Sequence, residues 1–153
     1  GNLLNLREYD RLRVEMSGRH IVAELLPVRK ESHPFQPSDS FEDRLWESFL
    51  QQNGGTETFF YSEHPQTLYD GAVPAKKDPN GKVYLHLHLA QYPGYRLVLL
   101  INGVKHDFGI VTRPLWRDEF LTFTPVGGRL VIALPPGVKG RAALALSKVR
   151  LLE

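Results

Sequence analysis

The sequence predicts an all-β fold, an antiparallel β-sandwich or jelly roll of roughly nine strands with one short amphipathic helix over about residues 40–51. Three observations carry this expectation. Val83-Tyr84-Leu85-His86-Leu87-His88-Leu89 has the period of two that a strand imposes, so Val83, Leu85, Leu87 and Leu89 share one face while Tyr84, His86 and His88 share the other. Apolar runs then follow one another to the end of the chain, with turn chemistry at the junctions: Tyr92-Pro93-Gly94, Asn102-Gly103, Gly127-Gly128 and Pro135-Pro136-Gly137. Only one segment has helical periodicity, whereas a parallel α/β design needs a helix between successive strands. A closed β-barrel is the alternative arrangement of the same strands.

Each element has its own signal. Leu12, Val14 and Met16 alternate with Arg11, Arg13 and Glu15, and Ser17-Gly18-Arg19 can turn that strand into His20-Ile21-Val22-Ala23-Glu24-Leu25-Leu26, an opening hairpin. Residues 29–39 are polar and carry Pro34 and Pro37, which remove backbone donors and favour extended chain, so they read as a loop. In the helix that follows, Phe41, Leu45, Trp46, Phe49 and Leu50 fall on one face. Ser38, Asp39 or Ser40 can cap its start, and Asn53-Gly54-Gly55 suits its stop. Its stripe is expected to cover an edge or opening of the sheet. Residues 56–62 read as a strand, and 63–81, with Pro65, Asp70-Gly71, Pro74, Pro79 and Asn80-Gly81, as a long loop that could wall a site. The remaining strands are expected at 82–90, 95–101, 104–111, 119–124, 129–134 and 141–152.

At 153 residues the chain is expected to form a single β-sandwich domain, 1–153, and its start, Gly1-Asn2-Leu3, fits a segment excised from a longer protein. No run approaches the roughly 18 apolar residues of a membrane-spanning helix, so a soluble domain with no membrane span is expected. The chain has no cysteine, which excludes disulfides, thiolate catalysis and cysteine metal sites while leaving the compartment open. Residues 1–75 hold 7 basic and 12 acidic groups against 12 and 5 in 76–153, but interleaved strands mix the two halves, and a nucleic-acid partner is not favoured.

No motif identifies a reaction, so non-enzymatic function without a cofactor is favoured. There is no Gly-x-Ser-x-Gly elbow, and Gly137-Val138-Lys139-Gly140 lacks the Gly-Lys-Ser/Thr ending of a phosphate loop. The strongest site candidates are aromatics and arginines placed between strands: Tyr69, Tyr92, Tyr95, Trp116, Arg113 and Arg117. Flat rings beside guanidinium groups suit a ligand that is part apolar and part polar, which points to a non-catalytic module binding carbohydrate or another polar ligand.

Two other readings compete. His86-Leu87-His88 puts two imidazoles on one face of a strand and resembles the metal-binding strand of the cupins. That resemblance implies a metal-dependent barrel enzyme using His86, His88 and a further ligand, with His106, His20, Glu24 and Asp107 as candidates. The glutamate that the family carries shortly downstream is absent from Leu89-Ala90-Gln91-Tyr92-Pro93-Gly94-Tyr95. The third reading is a protein-interaction or assembly module that pairs an exposed strand edge with a protein partner.

Overall fold

A computed structural model of the chain describes residues 19–25, 35–53 and 57–153. Within them run nine strands and one helix: β1 (Ile21–Leu25), α1 (Phe41–Gln52), β2 (Glu57–Phe60), β3 (Gln66–Ala72), β4 (Val83–Gln91), β5 (Val98–Ile101), β6 (Val104–Asp107), β7 (Arg117–Phe123), β8 (Arg129–Leu134) and β9 (Ala142–Leu152). The first arm expected for the opening hairpin, 11–16, lies outside the described residues, as does the turn at Ser17-Gly18. No described helix is long and apolar enough to cross a membrane.

The strands form two antiparallel sheets. The first has the order β1-β9-β4-β7, with β2 pairing β9 beside β1; the second has the order β3-β8-β5-β6. This is a sandwich, and the closed barrel considered from the sequence is not formed: each described sheet ends in edge strands. Leu85, Leu87 and Leu89 of β4 and Leu144, Leu146, Val149 and Leu151 of β9 face Leu68, Leu99, Ile101, Leu130, Ile132 and Leu134 of the second sheet in one buried core. Removing that much apolar surface from water is the main force holding the two layers together.

The long central strand shows how sequence sets register. Its apolar residues lose phase between Leu146 and Val149, and a strict period of two would turn half of them to the wrong face. The β4–β9 register shifts there, with Leu89 opposite Leu146 but His88 opposite Lys148. The extra residue, Ser147, is a bulge that returns Val149 and Leu151 to the core. At the β5–β6 hairpin, Asn102 (φ 48°) and Gly103 (φ 81°) form the expected two-residue turn between Ile101 and Val104. The Asn102 side chain also accepts from Val131 N (2.7 Å) and donates to Thr124 O and Arg129 O, pinning the hairpin to the β7–β8 connection.

α1 packs on the outer face of the first sheet, so the molecule has three layers at that end. Ser40 is the N-cap, accepting from Asp43 N at 3.1 Å, and Asn53 closes the other end with its Nδ2 on Phe49 O. Trp46 and Phe49 lie against Ala90, Ala142 and Ala145, whose small side chains let the helix come close to the sheet. Phe41, placed on the buried stripe from its spacing, is instead 62% exposed: at the first helical position it falls beyond the sheet surface that the rest of the stripe covers.

The segment 63–81, expected as a loop, contains β3, paired along β8. Its Asp-Gly resembles a turn, yet Asp70 bonds Arg129 across the strand pair. Gly71 leaves room for the Tyr69 ring, which a Cβ there would overlap.

Candidate functional site

The sequence-derived candidates are scattered over the fold. Trp116 is half-buried: it stacks on His88 (5.0 Å between centroids), packs on Phe49 and donates Nε1–H to Asn53 at the end of α1 (2.8 Å). Its ring seals the helix against the sheet instead of standing free in a loop. Arg117 is also engaged, donating to Glu119 (2.7 Å) and to the buried Gln91 Oε1 (2.9 Å) at the open side of the sandwich. Gln91 in turn holds the carbonyls of Tyr95 and Gly109, so Arg117 helps to fix the loop that carries Tyr95. Arg113 is exposed, and Tyr69 packs beside the main core on β3.

His86 and His88 do share a face, as the strand period requires. Opposite them on β7 stand Phe120 and Asp118, and on β9 Arg150 and Lys148. One carboxylate oxygen, Asp118 Oδ1, meets both rings, His86 Nε2 at 2.7 Å and His88 Nδ1 at 3.0 Å. An ionised carboxylate only accepts, so each imidazole donates from that nitrogen. Burial pushes the Asp118 carboxyl up, but the hydrogen bonds and charge of the two histidines together outweigh it and hold its pKa below the ordinary 3.8. His86 also stacks on Phe120, at 4.6 Å.

His106, the third metal candidate, lies on β6 in the other sheet, opposite Leu99, where burial pushes its pKa down. It is therefore separated from His86 and His88 by the thickness of the sandwich. Glu24 is bonded to Arg150, and Asp107 to Arg96. Among the described residues no group of three such side chains could hold a metal ion. The cupin-like arrangement expected from His-x-His is not assembled by them.

A concavity among the described residues lies elsewhere, at the end of the sandwich where β2 finishes, β5 begins, β8 finishes and β9 begins. It is a cleft of about 370 Å³ lined by the rings of Tyr61 and Tyr95, the turn at Pro135-Pro136, and three cations, Arg96, Lys105 and Arg141. That volume is at the lower end of the small-molecule range. Tyr61 is held in place by two features: its hydroxyl donates to Arg96 O (3.3 Å), and its ring lies on Gly137, where a Cβ would stand 2.6 Å from the ring Cγ. Burial pushes its phenol pKa up.

Behind the cleft sits a buried polar network. Tyr92 is 1% exposed, so it is no loop platform; it packs edge-on to Trp46 and at 5.6 Å from Tyr95. Its hydroxyl donates to Asp43 Oδ1 in the first turn of α1, and Asp43 Oδ2 accepts from both Ser38 N (2.9 Å) and Ser38 Oγ (2.6 Å). Arg141 Nη1 approaches the same pair, 3.4 Å from Tyr92 Oη and 3.6 Å from Asp43 Oδ1, while its guanidinium lies over the Tyr95 ring. Desolvation, followed by the hydrogen bond and charge of Asp43, raises the Tyr92 pKa to about 12. Burial raises that of Asp43, but the Ser38 and Tyr92 hydrogen bonds and the Arg141 charge prevail and lower it from 3.8.

Of the six aromatic and arginine candidates, then, the cleft takes Tyr95, with Tyr92 buried behind it. Tyr61, Arg96, Lys105 and Arg141 were missed, because no local spacing joins positions so far apart in the chain. The nearest signal was Pro135-Pro136-Gly137, read only as a turn. No protein-family model, curated protein or solved structure matches the chain, and the functional reading therefore rests on the cleft's own chemistry.

Proposed function

We propose that this chain is a non-catalytic binding module whose cleft takes a polar, ring-bearing ligand, a saccharide in the first instance. The observation that supports this reading is the presence of two tyrosine rings and three cationic side chains in one concavity of about 370 Å³. Tyrosine faces accept the apolar C–H surface of a sugar ring, and the cations donate to its oxygens. The surfaces are preorganised: the two prolines stiffen one wall, and Gly137 and the Arg96 carbonyl fix Tyr61. A wall that is already ordered gives up little entropy when it binds. None of the described lining residues carries a carboxylate or an imidazole, the groups that most often transfer protons in catalysis, which favours binding over acid–base chemistry.

A glycan array screened with the intact protein and with Tyr95→Ala tests this. The expected result is a reproducible glycan signal that is lost in the variant while its unfolding midpoint stays close to that of the parent. Silence across the array, or a signal indifferent to Tyr95→Ala, contradicts the reading.

A further inference from the structure

We infer that the cleft selects an anionic saccharide, one with a carboxylate or sulfate on the ring, and that Lys105 and Arg141 are the groups that hold the anion. This rests on the binding-module reading above and specifies its ligand.

The argument begins with hydrogen-bonding polarity. The polar side chains of the lining are Tyr61, Tyr95, Arg96, Lys105 and Arg141, and none carries an amide or carboxylate acceptor. Arginine and lysine only donate, and the Tyr61 hydroxyl already spends its proton on Arg96 O. A neutral sugar presents hydroxyls that must donate as well as accept, so side chains that offer mainly donors leave its protons poorly matched. A carboxylate or sulfate only accepts, which is the complementary case. The same inventory disfavours a nucleobase, whose edge needs both donors and acceptors.

The charges are not equally available. Arg96 donates Nη1–H to both oxygens of Asp107 at 3.0 Å, and Asp107 accepts Gly109 N as well, so this cation is neutralised at the rim. Lys105 has no ion-pair or hydrogen-bond partner among the described residues. Arg141 is held from behind through Nη1, near Tyr92 and Asp43, and across Tyr95; Nε and Nη2 have no hydrogen-bond partner among the described residues, and the side chain is 36% exposed. One flexible cation and one braced planar fork face the same cleft. Asp43 and Tyr92 act as positioning residues: they touch no ligand but set the orientation of Arg141.

The test is calorimetric titration of the whole protein with an oligogalacturonate, a sulfated galactan oligosaccharide and the neutral galacto-oligosaccharide of equal length, together with AMP as a nucleotide probe. At least one acidic oligosaccharide is expected to bind ten-fold or more tighter than the neutral one, with affinity falling as salt rises. Lys105→Gln, an exposed change that leaves the packing intact, is expected to weaken the acidic ligand about ten-fold and the neutral one far less, since only the acidic ligand loses a charge-assisted bond. Arg141→Lys keeps the charge but loses the fork, and is expected to weaken it as well. Equal affinity for acidic and neutral sugars, or indifference to Lys105→Gln, overturns this inference and leaves the saccharide reading standing. Binding of AMP alone, or of nothing, overturns both. A preference for uronate over sulfate, or the reverse, supports the inference and identifies the source of the anion.

Discussion

Replacing Asp43 with alanine should cost more than an ordinary helix-terminus change, because its carboxylate is the acceptor for a hydroxyl sealed inside the protein. Tyr92 is 1% exposed and donates to Asp43 Oδ1; without that oxygen its remaining polar neighbours are the Ser40 hydroxyl, already engaged as the cap of α1, and Arg141, itself a donor. A buried donor left unsatisfied costs about 1–3 kcal/mol. Loss of an acidic group from the first helical turn adds about 0.3–1 kcal/mol. The two bonds from Ser38 contribute little, since Ser38 is exposed and water replaces them. Asp43→Ala should therefore destabilise by about 1.3–4 kcal/mol. Tyr92→Phe removes the stranded hydroxyl, so the double variant should be more stable than the sum of the two single changes implies. The coupling between them is expected at about 1.5–3 kcal/mol, the range for a hydrogen bond to a charged group. Urea unfolding of the four proteins at neutral pH measures it through the midpoints at constant slope. A coupling under about 0.5 kcal/mol would refute the network as drawn, since that is the scatter seen for independent sites.

Further outcomes follow from the same packing. The depressed Asp43 and Asp118 carboxyls contribute stability that is present above pH 3.8 and lost as pH falls through their lower folded values, so Asp43→Asn should flatten part of the acid limb of a stability–pH curve. Tyr92 has its pKa raised from 10.0 to about 12, so its contribution is complete below pH 10 and lost between pH 10 and about 12; Tyr92→Phe should remove that alkaline loss. Gly137→Ala forces the Tyr61 ring or its supporting turn to move and should cost about 1–3 kcal/mol in thermal or urea unfolding, together with ligand affinity. Asp118→Ala strands the N–H of the nearly buried His86 and should cost about 1–3 kcal/mol, read by the same unfolding assay. Leu87→Ala, in the centre of β4, should cost about 2–5 kcal/mol and leave the cleft's chemistry unchanged.

Much of the architecture could be read in the chain because the physics there is local. The alternation in Val83–Gln91 needs only the period of a pleated strand, Asn102-Gly103 needs only the left-handed preference of its turn, and α1 starts and stops at its own caps. β3 escaped because it buries one large side chain, Leu68, and carries an Asp-Gly whose strand conformation depends on Arg129 and Tyr69. The site was less legible for the same reason. Trp116 and Arg117 look available in sequence, but Asn53, Phe49, Glu119 and Gln91 consume them, and those partners are remote in the chain. Tyr61, Lys105 and Arg141 give no signal until β2, β6 and β9 bring them to one end of the sandwich. The His-x-His pair was placed correctly on one face, yet its ligand set was decided by the strand opposite, where Asp118 stands.

The most direct test of the proposed binding site is a titration of isotopically labelled protein with an oligogalacturonate, followed by backbone and side-chain amide chemical shifts. The account predicts concentration-dependent shifts centred on Tyr95, Arg96, Lys105, Val138 and Arg141, with the Trp116 indole N–H unmoved. Shifts centred instead on Trp116, Arg113 and the β4–β7 face would contradict it, as would a spectrum that does not change.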